Sequence, residues 1–298
     1  MATERLFDTD LIRQNRLRAE DSAAAGSDFL LRIICDELAE RLAAVERNFD
    51  TAVSLQAGHP VLCDQLHASR KVTRLIRIEQ HASLFKTPSA ARDNLVAELD
   101  QLPLADNSAG LVVAPGYLHL TNDLPGLLVQ INRLLLPDGL LLAALPGGGT
   151  LAELRDALLS AEAEATGGAS PRVVPFPEMR DCGSLLQRTG FALPVIDAET
   201  QIVRYDDIHA LMRDLKNMGM ANPLLARSRI PASRGLFRRA AEIYAQRYSD
   251  PDGRIRATFN FIYLSGWKPH ESQQKPLAPG SARTRLAEAL GTREKRLR

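Results

Sequence analysis

The sequence contains few of the residues that would indicate a disulfide scaffold, a membrane span or a nucleic-acid surface. Its three cysteines are odd in number and widely spaced among 298 residues, which fits neither a disulfide framework nor a zinc ribbon and favours a reducing compartment. No apolar run approaches the roughly 20 residues that a membrane helix needs. The net charge of +1 gives no general electrostatic reason to expect nucleic acid as a partner.

The N-terminus also lacks the pattern of a targeting segment. It has no secretory apolar core, and Glu4, Asp8 and Asp10 argue against a mitochondrial presequence, a class that is poor in acidic residues. The sequence therefore predicts a cytoplasmic protein. Its 45% hydrophobic and 24% charged residues are ordinary for a globular chain, and its length suffices for one large α/β domain.

A helix and a buried strand are predicted in residues 122–145. Asn122 and Asp123 are good helix N-caps, and the apolar residues after them recur at the three-and-four spacing of an amphipathic helix. Residues 137–139, Pro-Asp-Gly, are expected to end this helix and turn the chain. Residues 140–145 form an unbroken apolar run, which is typical of a strand covered on both faces.

A glycine loop and a second helix follow. Residues 147–149 are all glycine, and Thr150-x-x-Glu153 has the pattern of a capping box at a helix start. A P-loop is excluded because no Lys-Ser/Thr pair follows the glycines. Helix, turn, buried strand, glycine loop and helix together indicate a doubly wound parallel sheet.

The remaining elements predict seven strands with helices between them. The further strands are expected at residues 49–55, 75–78, 95–99, 111–114, 191–203 with an interruption near Ala198, and 255–267. We expect an N-terminal helical segment over 1–48, a main domain over 49–268 with a helical insertion at about 206–248, and a polar tail over 269–298.

Several segments closely resemble one protein family. They are LFDTDLIRQNRLRA near the N-terminus, NDLP (122–125), LLPDG (135–139), GG-x-TLAELR (147–155), TGGASPRVVPF (166–176), GFALPVID (190–197), LMRDLKNMG (211–219), DPDGRIRATF (250–259) and GWKPHESQQKP (266–276). Within the class I S-adenosylmethionine (SAM) methyltransferases, this family includes a mitochondrial complex I assembly factor and its bacterial relatives. The resemblance covers nearly the whole chain.

The resemblance implies a Rossmann-like class I methyltransferase fold: a seven-stranded, mostly parallel sheet with helices on both faces, N-terminal helices and a helical insertion before the last strand. It further implies SAM as cofactor and a protein substrate, a complex I subunit, modified by methylation or by arginine hydroxylation. Such a bacterial cytoplasmic protein would lie at the inner membrane through its partner, with no membrane segment and no nucleic acid. The alternative is an inactive assembly or chaperone module that has kept the fold.

The loop after the first strand departs from the pattern expected for SAM. Such loops usually read Asp-x-Gly-x-x-x-Gly, but here Ser54 replaces the acid, Gln56 the first glycine and Pro60 the last. Ala57 and Gly58 remain as candidates for cofactor contact. The lost flexibility and the lost N–H donor together amount to about 3 kcal/mol, or roughly a hundredfold in affinity. This loop favours the inactive module.

Four other side chains are candidate site residues. Glu79 ends the second strand, where an acid typically accepts hydrogen bonds from ribose hydroxyls, while Glu98 and Asp100 follow the third strand, where an acid can meet adenine. Each could equally be a carboxylate in water. His119 matches the family's Leu-His-Trp position and could orient substrate or accept a proton, or simply be hydrogen-bonded at a helix start. The six histidines form no pair suited to iron or zinc, so no metal site is predicted.

Overall fold

The computed structural model describes residues 5–22 and 26–274, in which the chain forms eight α-helices and seven β-strands. The helices are α1 (Thr9–Ser22), α2 (Phe29–Ala43), α3 (Val61–Ala68), α4 (Leu124–Leu134), α5 (Ala152–Thr166), α6 (Met179–Arg188), α7 (Ile208–Asn217) and α8 (Arg234–Tyr248). The strands are β1 (Phe49–Leu55), β2 (Val72–Glu79), β3 (Asp93–Val96), β4 (Ala109–Pro115), β5 (Leu135–Pro146), β6 (Ala192–Tyr205) and β7 (Ile255–Trp267). Most of the predicted polar tail, from residue 275 onward, lies outside the described residues.

All seven strands form one sheet in the order β3-β2-β1-β4-β5-β7-β6. The first five are parallel neighbours, whereas β7 runs antiparallel between β5 and β6. The predicted fold class is confirmed, including the helical insertion, because α7 and α8 lie between β6 and β7. The strand order reverses between β1 and β4, and in such sheets ligands bind at the carboxyl ends of the strands beside this switch point.

Two helical layers bury the two faces of the sheet. Every residue of β4 is buried, and so is β5 from Leu140 to Pro146, which explains why these strands are almost entirely apolar in sequence. Helices α2, α3, α5, α7 and α8 pack on one face and α4 and α6 on the other. Among the described residues, no helix has both the length and the hydrophobicity that crossing a membrane requires.

The two polar residues before α4, Asn122 and Asp123, each accept backbone hydrogen bonds. Asp123 is the N-cap, and its carboxylate accepts a hydrogen bond from the Gly126 N–H at 2.8 Å. Asn122 has a different task, because its side-chain oxygen accepts from the N–H groups of Leu6 and Phe7, each at 2.9 Å. These two hydrogen bonds attach the segment before α1 to the loop before α4.

The predicted capping box at Thr150 is wrong. Helix α5 begins only at Ala152, after Leu151 in a left-handed conformation with φ of 53°. The Thr150 hydroxyl instead exchanges hydrogen bonds of 3.0 Å with the backbone of Asn260 in β7. Partners more than 100 residues away in sequence therefore override the local capping pattern.

Three strand predictions also need correction. Residues 137–139 do not separate helix from strand but lie within β5 as an irregularity opposite the start of β4, with Asp138 at φ of 63°. Strand β3 ends at Val96 rather than at residue 99. Strand β6 is continuous through Ala198, and its irregularity lies near Leu193, whose φ is 49°.

Candidate functional site

The loop after β1 makes a tight left-handed turn before α3. Gln56 has φ of 55° and Gly58 has φ of 72°, and the Gln56 N–H donates to the carbonyl of Ile78 at 2.8 Å. A left-handed glutamine costs roughly 1–2 kcal/mol relative to the right-handed conformation. Its side chain is completely buried, so it is held by interactions rather than free to rotate.

Those interactions come from Arg16, which α1 places over the carboxyl ends of β1 and β2. One terminal nitrogen, Nη1, donates to Gln56 Oε1 at 2.5 Å and to Gln80 Oε1 at 3.2 Å. The other, Nη2, donates to Glu79 Oε2 at 2.5 Å, and both side chains of this ion pair are at most 1% exposed. The guanidinium carbon also lies 4.4 Å from the centre of the Tyr117 ring. We call Arg16, Gln56, Glu79 and Gln80 the Arg16 cluster.

The other oxygen of Glu79 also accepts hydrogen bonds from groups of this chain. Oε1 accepts from the Gly58 N–H at 2.9 Å and from Arg77 Nε at 3.1 Å. Arg77 is buried in the middle of β2 and uses its Nη2 to donate to the carbonyl of Leu84 at 2.8 Å. Both oxygens of the Glu79 carboxylate are therefore bonded to donors of this chain, as a buried charge requires.

Beside the Arg16 cluster lies a cavity of about 440 Å³, between α1 and α2 on one side and the ends of the strands on the other. Its wall is mostly apolar and includes Ala57, Gly58, Tyr117, His119 and Phe176. A cavity of this size and composition at the switch point has the usual character of a small-molecule or side-chain site.

His119 is one of two histidines on the cavity wall, the other being His59, whose Nε2 lies 3.6 Å from Asp28 Oδ2. His119 is 7% exposed, and its ring centre lies 5.7 Å from that of Phe176. Its Nδ1 is buried and has no hydrogen-bond partner among the described residues. Burial lowers the pKa of His119 from 6.5 to about 4, so the imidazole is neutral at physiological pH.

The predicted site residues fall into two groups. Ala57, Gly58 and His119 line the cavity, and Glu79 lies immediately behind it under Arg16. The two acids that follow β3 are not on the cavity wall. Glu98 is 54% exposed and pairs with Arg13 at 3.1 Å.

Asp100 lies apart from Glu98 and beneath the surface. It accepts a hydrogen bond from the Thr121 hydroxyl, and burial raises its pKa. Its backbone carbonyl accepts from Gln130 Nε2 at 2.8 Å, which fixes the segment after β3 against α4. Among the described residues, no three His, Cys, Asp or Glu side chains are grouped as metal ligands.

Sequence reasoning missed Arg16, the central residue of the site. The signal was present, because Arg16 follows Ile12 and Asn15 at the spacing of one helix face and all three are buried. An arginine on the inner face of an amphipathic helix needs a buried acid as partner. Glu79 is that acid, 63 residues away in sequence.

In this arrangement the residues present do not fit the nucleoside of SAM. The ribose hydroxyls of the cofactor would need to reach the oxygens of Glu79, but Arg16 lies between Glu79 and the cavity and the Glu79 side chain is 0% exposed. Gln56 and Pro60 also replace the glycines of the loop that would approach the amino-acid part of the cofactor.

Comparison with known proteins gives the family of the chain. The methyltransferase domain family matches residues 65–143, a segment that begins after the altered loop. The chain is 34% identical over 290 residues to arginine-hydroxylase NDUFAF5 of Homo sapiens, a match that spans 96% of this chain and 84% of that protein. The chain belongs to the NDUFAF5 family. The NDUFAF5 of Dictyostelium discoideum is 46% identical over 190 residues, which span 63% of this chain but 43% of that longer protein.

Two further comparisons give a relative named as a methyltransferase and a solved structure with the same fold. The chain is 31% identical over 288 residues to malonyl-[acyl-carrier protein] O-methyltransferase of Laribacter hongkongensis, covering 90% of this chain and 93% of that enzyme. A crystal structure of the Bacillus subtilis protein YcgJ superposes with a TM-score of 0.53 over 79% of this chain and 99% of the other, at 11% identity. At that identity the superposition shows the shared fold alone.

The family corrects one prediction made from the sequence. A cytoplasmic location is contradicted, because the NDUFAF5 relatives from Dictyostelium discoideum, Danio rerio, Homo sapiens, Rattus norvegicus and Mus musculus are mitochondrial proteins. The cytoplasmic prediction rested on the cysteine usage, on the missing secretory core and on the acidic residues near the N-terminus.

Proposed function

We propose that this protein acts on a protein subunit during the assembly of respiratory complex I. The observation that carries the proposal is the 34% identity with an NDUFAF5 arginine hydroxylase along 96% of the chain. Arginine hydroxylation of the subunit is the modification that this relative's name supports, and methylation is the one that the fold supports. The cavity beside His119 is the candidate site, since it lies at the switch point where this fold binds its ligands.

In this proposal His119 holds or accepts a proton at the cavity wall. A neutral imidazole can do so, and the low pKa of His119 keeps it neutral when no ligand is bound. Phe176 packs beside the ring and excludes water from that side. The cavity is wide enough for an extended amino-acid side chain presented by a partner protein.

A second candidate function is an assembly module that binds the subunit without catalysis. The Arg16 cluster supports it, because the acid expected to hold the cofactor ribose is engaged inside the protein. The glutamine and proline in the loop after β1 support it as well. Both candidates require the same partner surface, so they differ only in whether the subunit is chemically changed.

The experiment is a deletion of the gene in its source organism, followed by native-gel measurement of assembled complex I. We expect loss of the complex and recovery with the wild-type gene, and normal assembly without the gene would refute both candidates. Mass spectrometry of the arginine-containing peptides of complex I then separates them, since only the enzyme adds oxygen or methyl groups.

A histidine variant sharpens that distinction. If the protein is an enzyme, His119→Gln should restore neither the modification nor the assembly that depends on it, whereas the exposed His67→Gln should restore both. A module without catalysis should give assembled complex with either variant and no modified arginine in any strain.

A further inference from the structure

We propose that Arg16 determines the ligand specificity of this site by occupying the position of a cofactor ribose, so that the protein excludes adenosyl cofactors. The inference goes beyond the proposed function, because it concerns which ligand the fold can take and not which partner the protein serves. It follows from three features of the Arg16 cluster: the burial of Glu79 beneath Arg16, the anchoring of α1 and the filling of the space over Gly58.

Glu79 presents no surface to the cavity, because its side chain is 0% exposed and each of its oxygens already accepts a hydrogen bond from this chain. Its Oε2 receives Arg16 Nη2 at 2.5 Å, while its Oε1 receives the Gly58 N–H and Arg77 Nε. A ribose diol donates two hydrogen bonds, which would have to replace the ion pair with Arg16. Removing one partner from a buried pair leaves an uncompensated charge, which costs affinity by at least about a hundredfold.

Arg16 is held in place because the residues that precede it on and beside α1 are anchored. Asn15 Nδ2 donates to the carbonyl of Ala221 at 2.9 Å, and the backbone N–H of Asp8 donates to the carbonyl of Pro223 at 2.9 Å. Ile12 is 2% exposed in a small apolar cluster with Leu120 and other residues. A rotation of α1 would therefore break contacts with the turn that follows α7 as well as the ion pair.

The packing against that turn is close. A Cβ placed on Gly219 would lie 3.3 Å from Arg16 Cα, so the backbone of α1 rests directly on a glycine with φ of 75°. This contact fixes the height of α1 above the sheet. The guanidinium reaches Glu79 from that fixed position.

The same guanidinium also covers the glycine of the loop after β1. A Cβ placed on Gly58 would lie 3.3 Å from Arg16 Nη2 and 3.6 Å from a ring carbon of Tyr117. In this fold the loop after β1 is where the amino-acid part of the cofactor approaches the backbone. One side chain therefore takes both the ribose position at Glu79 and the approach to Gly58.

The test is isothermal titration of S-adenosylhomocysteine, which lacks the reactive methyl group, into the full-length wild-type protein and two variants. In Arg16→Met the aliphatic stem is kept and only the guanidinium over Tyr117 is removed, while Glu79 retains Arg77 and the Gly58 N–H as partners, so folding is expected. Arg13→Met is the matched control, because Arg13 lies one turn earlier on α1 and pairs with exposed Glu98.

We expect no binding by the wild type or by Arg13→Met at about 1 mM ligand, and binding by Arg16→Met that is at least about tenfold tighter than that limit. Wild-type binding in the micromolar range overturns the inference whether or not the variants fold. Absence of binding by all three proteins overturns it too, because Arg16 would then not be the determinant. Equal gains in both variants would show general loosening of α1 and would also overturn it.

This outcome is separate from the role in complex I assembly, but it bears on the chemistry: a protein that excludes SAM has no methyl donor, so arginine hydroxylation or binding alone would remain. Complex I assembly can depend on the protein whether or not Arg16 excludes the nucleoside, and a failed titration leaves the deletion experiment unaffected. If the gene deletion leaves complex I intact, the titration still decides the role of Arg16.

Discussion

The Arg16–Glu79 pair should contribute measurably to stability, and a double-mutant cycle can show it. The pair is 2.5 Å long, its side chains are 1% and 0% exposed, and breaking such a buried pair costs about 3–5 kcal/mol. Because Arg77 remains on the Glu79 carboxylate, the lower end applies, and we expect Arg16→Met to lower the free energy of unfolding by about 3 kcal/mol. That loss is roughly a hundredfold in the folding equilibrium constant.

Glu79→Gln should cost at least as much, because it leaves Arg16 and Arg77 facing a neutral amide in a buried site. The double variant Arg16→Met/Glu79→Gln should be more stable than the sum of the single effects by about 2 kcal/mol, since Arg16 is then no longer left facing a neutral amide and only Arg77 is. Urea unfolding followed by the fluorescence of Trp267, the one tryptophan of the chain, provides the measurement.

A surface pair on the same strand is the control. Arg74→Met removes the pair of Arg74 with Asp93, whose side chains are 59% and 40% exposed, and should cost no more than about 1 kcal/mol. The reasoning is refuted if Arg16→Met is as mild as this control. Additive effects of Arg16→Met and Glu79→Gln would refute it equally.

Three further predictions concern groups whose protonation the fold controls. Burial lowers the pKa of His119 from 6.5 to about 4, so between these values the unfolded chain binds a proton at His119 and the native state does not. The wild type should therefore lose about 2 kcal/mol more stability than His119→Gln between about pH 7.5 and pH 5, measured by urea unfolding at each pH. Arg172 hydrogen-bonds Glu162 and lowers its pKa from 4.5 to about 2, so Arg172→Met should cost about 1–2 kcal/mol at neutral pH, and this difference should shrink as the pH falls from 4.5 towards 2. The three cysteines are free and buried, and their pKa values are raised. A thiol reagent should therefore leave the native protein unmodified at about pH 8 and label all three cysteines in guanidinium. Rapid labelling of the native protein would contradict this.

The sequence predicted the sheet well because its central strands are buried on both faces. The boundaries of β1 and β7 agree with the prediction, since an apolar or alternating run with turn residues at its ends is a local signal. Strand β3 was placed too late, because only four residues form it and its exposed residues carry little pattern. A short edge strand has too few residues to show a clear hydrophobic pattern.

The site could be predicted only in part, because its decisive contacts join distant residues. Glu79 was found from its position at a strand end, which the fold determines. The helix face marked Arg16 as buried, but its contact with Glu79 could not be predicted, since nothing in either segment specifies which buried acid the arginine meets. The false capping box at Thr150 failed for the same reason, as its partner Asn260 lies in the last strand.

The most direct test of the account is equilibrium dialysis of the wild-type protein against tritium-labelled SAM, at about 100 µM protein and at near-neutral pH. Equal radioactivity in both chambers is expected, because the carboxylate of Glu79 is completely buried under Arg16 and is held by Arg16, Arg77 and the Gly58 N–H. An excess on the protein side that unlabelled S-adenosylhomocysteine displaces would contradict it.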